Sequence, residues 1–125
     1  DNVLRGGLTP KHVDVPELLK HVVFKETIPK IMTGSLRSDQ LERIFESPAP
    51  DFQLSKIEID ADNVYMGHSA TVEILMILDG EADVICEGQH MKFKKGDSIC
   101  ATESCKYQIQ THASVVIYKA TAPVN

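Results

Sequence analysis

The chain has 125 residues, with 13 lysines and arginines, 18 aspartates and glutamates, and a formal net charge of −5 at pH 7. This length suits one domain with a single hydrophobic core, and the cations lack the clustering of a nucleic-acid-binding face. No apolar run approaches the ~20 residues that span a bilayer, and the N-terminus lacks the charged-then-apolar pattern of a secretory signal. We therefore expect a cytoplasmic protein that binds neither nucleic acid nor membrane.

The cysteines support the same compartment. Cys86, Cys100 and Cys105 form an odd number without metal-finger spacing, which fits reducing conditions and predicts buried or half-buried thiols. Cys100 and Cys105 are separated by an odd number of positions. In one regular strand they would face opposite sides and could not share a ligand.

The chain opens on a loop rich in glycine and positive charge, DNVLRGGLTPK over residues 1–11. Gly6 and Gly7 allow backbone conformations closed to other residues and let a ligand approach closely. An arginine such as Arg5 can fork onto a phosphate or an oxyanion, and Lys11 can add a second positive charge. The same residues also fit an ordinary surface loop with two solvated cations.

A short amphipathic helix is predicted after this loop, from Val15 to His21. Asp14 can cap its N-terminus and Pro16 suits its first turn, while apolar residues recur with helical spacing. The predicted role of this helix is to dock the loop against a β-body and so to hold Arg5 in place.

From residue 22 onward, short apolar segments separated by turn residues predict strands. With at least eight such segments and one small helix, we predict an all-β sandwich or jelly roll that ends in a loose tail at residues 120–125. The predicted strands are Val22–Lys25, Lys30–Thr33, Leu41–Phe45, Val64–His68, Val72–Leu78, Asp83–Cys86, His90–Phe93, Ser98–Ala101, Tyr107–Thr111 and Ser114–Lys119.

Two interruptions are also predicted. Phe52 and Leu54 share one strand parity whereas Ile57 and Ile59 share the other, which indicates a bulge or a bend within that segment. Asp79-Gly80 is typical of a tight hairpin turn.

A family resemblance is carried by the sequence DNVLRGGLTPK and by VDVPEL at residues 13–18. These segments resemble a motif of the type I phosphomannose isomerase (mannose-6-phosphate isomerase) family, and the rest of the chain is similar to that family's C-terminal β-domain. The resemblance implies that Arg5 is catalytic and binds substrate, and that Lys11 binds substrate in the same cleft. It also implies an active-site loop with a short helix at residues 1–22 and a cupin-like β-domain at residues 23–125.

Members of this family interconvert mannose 6-phosphate and fructose 6-phosphate by a zinc-dependent cis-enediol isomerisation. The family's zinc ligands are a Gln-x-His pair, a Glu and a second His, and no part of this chain matches those motifs. The resemblance therefore implies a fragment of a longer protein, inactive alone, whose zinc ligands lie upstream of Asp1. It further implies that the fragment docks on the upstream zinc-bearing domain of the same protein and helps to bind a hexose 6-phosphate.

The β-domain resembles the cupins, a jelly-roll family that commonly holds a metal with two His and a Glu from a first motif and a His from a second. Glu73 followed by Gly80 resembles the end of the first motif, and Gly96-Asp97 resembles the start of the second. The positions that match the metal ligands hold Met66, His68, Glu73 and Tyr107.

This ligand set is poor for a divalent cation. A thioether and a neutral phenol bind such ions weakly, and His68 with Glu73 alone provides too few ligands. We therefore expect no cofactor in this fragment and predict that Glu73 is hydrogen-bonded to a neighbour such as His68 or Tyr107.

Two other hypotheses remain open at this point. The chain could be a non-catalytic cupin-like module that binds a sugar or mediates association, which the degenerate ligand positions favour. A stand-alone metal-cupin oxygenase or epimerase would instead require a metal near His68 and Glu73.

Overall fold

The structure is a computed structural model that describes residues 3–122. The chain divides into two compact units, the first ending at Ile31 and the second beginning at Met32. No helix within residues 3–122 is both long enough and apolar enough to cross a membrane.

The first unit contains one α-helix, α1 (Val15–His21), with the bounds that the sequence predicts. The Asp14 carboxylate accepts a hydrogen bond from the Glu17 backbone N–H at 3.0 Å and so satisfies a donor that the helix leaves unpaired. Lys20 lies in the last turn, where a cation complements the helix dipole.

The strands predicted at Val22–Lys25 and Lys30–Thr33 are wrong, because both segments are irregular. Their apolar side chains are exposed: Phe24 is 86% and Ile31 is 84% accessible. A strand needs a hydrogen-bonded neighbour and a buried face, and apolar composition alone provides neither.

The second unit is an antiparallel sheet with nine strands in its described part. Their order is β1-β2-β3-β9-β5-β8-β4, and β6 and β7 also pair with β5. This arrangement confirms the predicted all-β fold with one short helix. The strands are β1 (Ser35–Leu36), β2 (Glu42–Phe45), β3 (Gln53–Asp60), β4 (Val64–His68), β5 (Glu73–Cys86), β6 (Gln89–Lys94), β7 (Ser98–Ala101), β8 (Lys106–Gln110) and β9 (Ser114–Thr121).

The longest strand, β5, organises this sheet, and it contradicts the predicted hairpin at Asp79-Gly80. β5 continues through both residues for 14 residues in all, pairing with β7 and β9 along its first half and with β6 and β8 along its second. Between Ile77 and Asp79 its register against β9 shifts, so the strand bends without reversing. Gly80 has φ 81°, and a Cβ there would lie 2.2 Å from the Ser114 carbonyl oxygen.

The predicted bulge between Leu54 and Ile57 is wrong as well. β3 pairs with β9 in unbroken register from Gln53 to Asp60. Ser55 takes the inward position next to Ile57, because its hydroxyl donates a hydrogen bond to a buried carboxylate, that of Glu42. Because this inward residue is polar, the sequence does not show the alternation of inward and outward side chains that the strand follows.

The core lies on the inward face of this sheet. β9 contributes Val115 and Ile117 to it, and the strand continues to Thr121, so the predicted tail begins later than residue 120. Residues 123–125 of that tail lie outside the described part of the chain. The buried apolar residues are Ile57, Ile59, Tyr65, Leu75, Ile77, Ala82, Val84, Ala101, Tyr107, Ile109, Val115 and Ile117.

Candidate functional site

The N-terminal loop places the backbone of Arg5 against the start of α1. The Arg5 carbonyl accepts a hydrogen bond from the Asp14 N–H at 3.1 Å, so the helix cap also anchors the loop. Gly6 packs against the helix, because a Cβ there would lie 2.9 Å from Leu18 Cδ2. The Arg5 side chain is half-buried. The helix cap thus anchors the backbone of Arg5, and the docking of the loop against the β-body stays a prediction.

The apex of the loop is exposed and bent. Leu8 has φ 55°, in the left-handed region, and its side chain is fully accessible. The Lys11 N–H donates to Thr9 Oγ1 at 3.2 Å, and the Lys11 side chain is exposed. Within residues 3–122, no hydrogen bond or ion pair joins the Arg5 guanidinium or the Lys11 ammonium to another residue. The roles assigned to these two cations stay predictions.

A second feature, absent from the sequence predictions as a group, is a buried set of charged and polar side chains inside the β-unit, which we call the ionic cluster. Six strands contribute one residue each, and none of these residues is more than 7% exposed. The members are Glu42 from β2, Ser55 from β3, Tyr65 from β4, Glu73 from β5, Tyr107 from β8 and Lys119 from β9.

Lys119 is the centre of the ionic cluster. Its Nζ lies 2.7 Å from Glu42 Oε1 and 3.6 Å from Glu73 Oε1. The same ammonium donates a hydrogen bond to the Tyr65 hydroxyl at 3.1 Å. One buried cation therefore contacts two buried carboxylates and one phenol.

The remaining bonds satisfy both carboxylates. Glu42 accepts from Tyr65 Oη at 2.8 Å and from Ser55 Oγ at 2.6 Å, and it also pairs with the guanidinium of Arg37 at the edge of the cluster. Glu73 accepts from Tyr107 Oη at 2.6 Å. Within the described residues, no buried side-chain nitrogen or oxygen lacks a hydrogen-bond partner. The cluster therefore meets the condition under which buried charge is tolerated.

The proton affinities of the cluster follow from these contacts. Burial favours the neutral form of Glu42, but the hydrogen bonds from Lys119 and Ser55 and the charge of Lys119 outweigh it and lower the pKa of Glu42 to about 2. Burial also opposes the charge on Lys119, yet Tyr65 and Glu42 raise the pKa of Lys119 above its ordinary value. Burial, followed by the hydrogen bond to Glu73, raises the pKa of Tyr107. At neutral pH the pair Glu42 and Lys119 is therefore ionised and the phenols are neutral.

The predicted hydrogen bond of Glu73 is confirmed for Tyr107. His68 makes no such bond, because it is exposed on β4 together with Met66, whereas Tyr65 and Gly67 face inward. Met66 and His68, the two positions on this strand that the sequence matched to cupin ligands, therefore point away from the core.

The ring of Tyr107 fills the space beside Gly67. A Cβ on Gly67 would lie 2.1 Å from Tyr107 Cζ. The two positions that the sequence singled out as residual ligands, His68 and Glu73, therefore lie on opposite faces of the sheet and cannot share a metal ion.

The ionic cluster does not fit a divalent cation. The ammonium of Lys119 already lies between the two carboxylates that such an ion would require, and it cannot coordinate while protonated. Within residues 3–122, no group of three or more His, Cys, Asp or Glu side chains has metal-binding geometry. The lysine supplies the positive charge that a metal would otherwise bring to this interior.

The cysteines are only partly as predicted. Cys86 and Cys105 are half-buried, but Cys100 is exposed because it lies on the outer face of β7 opposite Ile74. The sulfurs of Cys86 and Cys105 are 3.3 Å apart, a proximity that the sequence does not reveal.

An antiparallel sheet with this topology and an inward cluster around Glu73 defines a cupin-type β-domain. The chain matches the family model for the mannose-6-phosphate isomerase cupin domain over residues 42–119, a segment that begins and ends on members of the ionic cluster. The chain therefore belongs to the mannose-6-phosphate isomerase family, as the N-terminal motif indicates.

Curated relatives agree with this assignment. The chain is 37% identical over 100 residues to mannose-6-phosphate isomerase of Salmonella typhimurium, a match that covers 78% of this chain and 25% of that protein. It is 35% identical over 108 residues to the Escherichia coli enzyme, covering 83% of this chain and 27% of that protein. The match thus spans about a quarter of the length of these relatives.

Solved structures give the same result over nearly the whole chain. The mannose 6-phosphate isomerase of Salmonella typhimurium, solved with bound substrate and zinc, superposes with a TM-score of 0.81 at 26% identity. That superposition covers 99% of this chain and 31% of the other. An ethanolamine utilization protein Q from the same organism shares the fold alone, with a TM-score of 0.59 at 22% identity over 67% of this chain and 69% of that one.

Proposed function

We propose that the chain acts as the C-terminal portion of a zinc-dependent mannose-6-phosphate isomerase, interconverting mannose 6-phosphate and fructose 6-phosphate. The observation that carries this proposal is the superposition on the substrate-bound isomerase over 99% of the chain. Because that coverage is nearly complete, it includes the loop with Arg5 as well as the β-unit. The likeness therefore extends beyond the cupin fold to the segment with the predicted active-site motif.

The residues present in this chain indicate which part of the reaction it supports. Isomerisation through a cis-enediol moves a proton between C1 and C2 and develops negative charge on the sugar oxygens. In our proposal Arg5 binds that charge or the phosphate through its forked guanidinium, and Lys11 adds a second cation. The zinc ligands come from other parts of the isomerase, because the ionic cluster does not fit the ion.

An apolar outer face on the β-unit supports docking on the zinc-bearing part of the isomerase. Along β5, Ile74, Met76 and Leu78 alternate with inward core residues and are 52%, 46% and 42% exposed. Tyr118 of β9 lies opposite Met76 and extends this apolar surface. Contiguous exposed apolar surface of this kind marks an interface, and the matched segment covers only 25% and 27% of the two bacterial relatives. We therefore assign this face to contact with the zinc-bearing domain.

The alternative hypothesis of a sugar-binding module would need one of the pockets on the β-unit. The enclosed cavity beside Leu75, Ile109 and Tyr107 is mainly apolar and has a volume of about 80 Å³, well below the ~300 Å³ at which ligand pockets begin. Two more open pockets, of about 420 and 470 Å³, exceed that limit, and the second offers His68, Lys106 and Gln108 to sugar hydroxyls, so it is the candidate site of the alternative hypothesis.

The proposal is tested by isomerase activity on mannose 6-phosphate, comparing the 125-residue chain with the gene product that also contains the zinc-bearing domain. We expect turnover only from the longer protein, and its loss on adding a zinc chelator. Chelation should leave the thermal unfolding of the 125-residue chain unchanged, since no zinc stabilises it. An inactive longer protein with zinc supplied would favour the non-catalytic module instead.

A further inference from the structure

Two half-buried thiols meet at one end of the sheet. Cys86 ends β5, and Cys105 lies in the turn before β8, with 3.3 Å between the two Sγ atoms. A disulfide requires a separation of about 2.05 Å, so the sulfurs need to approach by only about 1.3 Å. That distance is within the reach of small side-chain rotations.

The backbone explains why these sulfurs meet. Cys86 pairs with Tyr107 across the two strands, and Cys105 precedes Tyr107 by two residues, on the same side of the chain. The Ser69 N–H donates a hydrogen bond to the Cys105 carbonyl at 3.0 Å and so holds the turn. Ser104, within this turn, adopts the left-handed conformation with φ 64°. The proximity therefore follows from strand register and does not depend on two flexible side chains alone.

We propose that Cys86 and Cys105 form a modification site that peroxides oxidise to an intramolecular disulfide. Both thiols line the cavity of about 80 Å³ described above, together with Met91 and Cys100. A water molecule takes about 30 Å³ of liquid volume, so hydrogen peroxide can enter this cavity and reach the sulfurs.

The reaction balances in two steps. The sulfur of one cysteine attacks one peroxide oxygen, the O–O bond breaks, and the departing hydroxide takes that thiol's proton to leave as water, so the cysteine becomes a sulfenic acid. The sulfur of the other cysteine then attacks the sulfenic sulfur, the S–O bond breaks, and the departing hydroxide takes the attacking thiol's proton to form a second water. Two thiols lose two electrons and two protons, and one peroxide is reduced to two waters.

The hydrogen bond between the two sulfurs leaves the order of the two thiols open. The contact with Cys86, followed by burial, raises the pKa of Cys105 to about 11. Either sulfur can be the donor in this bond, so either cysteine can be oxidised first and be resolved by the other.

The site is tested by treating the purified protein with hydrogen peroxide, digesting it without reductant and analysing the peptides by mass spectrometry. We expect one cross-linked peptide pair containing Cys86 and Cys105, lighter by two hydrogens than the reduced pair. Cys100→Ser is the matched control, since it removes the third thiol and should leave the cross-link unchanged. Cys86→Ser and Cys105→Ser should each abolish it.

Other outcomes overturn the proposal. They are two thiols that stay reduced, a sulfinic acid on either cysteine without a cross-link, and a disulfide that includes Cys100. The wild-type peptide map decides between these results even if a serine variant fails to fold. The outcome is also separate from isomerase activity, because it needs neither zinc nor a sugar phosphate.

Discussion

Replacing Lys119 with methionine is expected to lower the free energy of unfolding by about 3 kcal/mol, the lower end of the range for breaking a buried ion pair. Methionine preserves much of the side-chain length and removes the ammonium, so the carboxylate of Glu42 stays buried without one of its two cations. The loss is not larger because the guanidinium of Arg37 still pairs with the other Glu42 oxygen. Urea unfolding monitored by circular dichroism measures the change.

Two variants make this prediction specific. Lys95→Met removes an ion pair with Asp79 whose side chains are 70% and 72% exposed, so it should cost less than about 1 kcal/mol. Adding Glu42→Gln to Lys119→Met should restore part of the loss, because the buried charge of Glu42 is then removed and only Glu73 lacks its cation. A Lys119→Met protein no less stable than Lys95→Met would show that the ionic cluster does not stabilise the fold.

Acid titration provides a second expected result. The pKa of Glu42 is lowered from 4.5 to about 2 in the folded protein, so its contribution is fully present above pH 4.5 and is lost as the pH falls from 4.5 to about 2. With about 1.36 kcal/mol per pH unit, the contribution is on the order of 3 kcal/mol. The stability difference between wild type and Lys119→Met should therefore shrink across this range. A constant difference down to about pH 2 would contradict the assignment to Glu42.

Replacing Arg5 with alanine in the active isomerase is expected to lower turnover of mannose 6-phosphate by about 10²–10³-fold, the cost of losing one donor to a developing oxyanion. Arg5 is half-buried, and its backbone carbonyl is anchored to the cap of α1 at 3.1 Å, so the loop that carries the guanidinium is held at its base. Steady-state kinetics with the separate determination of kcat and KM measures the effect.

One further variant at Arg5 separates charge from geometry, and variants of Lys11 and Lys20 serve as comparisons. Arg5→Lys keeps the charge and loses the planar fork, so turnover should fall between wild type and Arg5→Ala. Lys11→Ala should have a smaller effect, since its side chain is exposed at the loop apex. Lys20→Ala removes an exposed cation paired with Glu17 and should leave turnover unchanged. Kinetics of Arg5→Ala equal to wild type would remove Arg5 from the mechanism.

The helix was predictable to the residue because its signals are local. Asp14, Pro16 and the apolar spacing all lie within one short segment, and each acts through its nearest neighbours. Strands such as β4 were equally clear, with Val64 to His68 matching in structure and sequence. The continuation of β5 through Asp79-Gly80 was not predictable, because whether a chain reverses there depends on which strands lie alongside it.

The ionic cluster was missed for a similar physical reason. Its members come from six strands spread between Glu42 and Lys119, and no sequence spacing relates them. One clue was available: Lys119 has the same parity as the core residues Val115 and Ile117, so alternation alone would have turned this lysine inward. The hydrogen bond between Glu73 and Tyr107 was predictable, because a buried carboxylate needs a donor and Tyr107 supplies one.

We propose that the zinc of the isomerase binds outside this chain. The most direct test is zinc content by elemental analysis, measured in parallel on the 125-residue chain and on the active isomerase. We predict that the isomerase retains zinc after dialysis and that the 125-residue chain retains none, because Lys119 already supplies the positive charge between Glu42 and Glu73. Stoichiometric zinc on the 125-residue chain, lost in a Glu73→Gln variant, would contradict this prediction and place a metal site inside the β-unit.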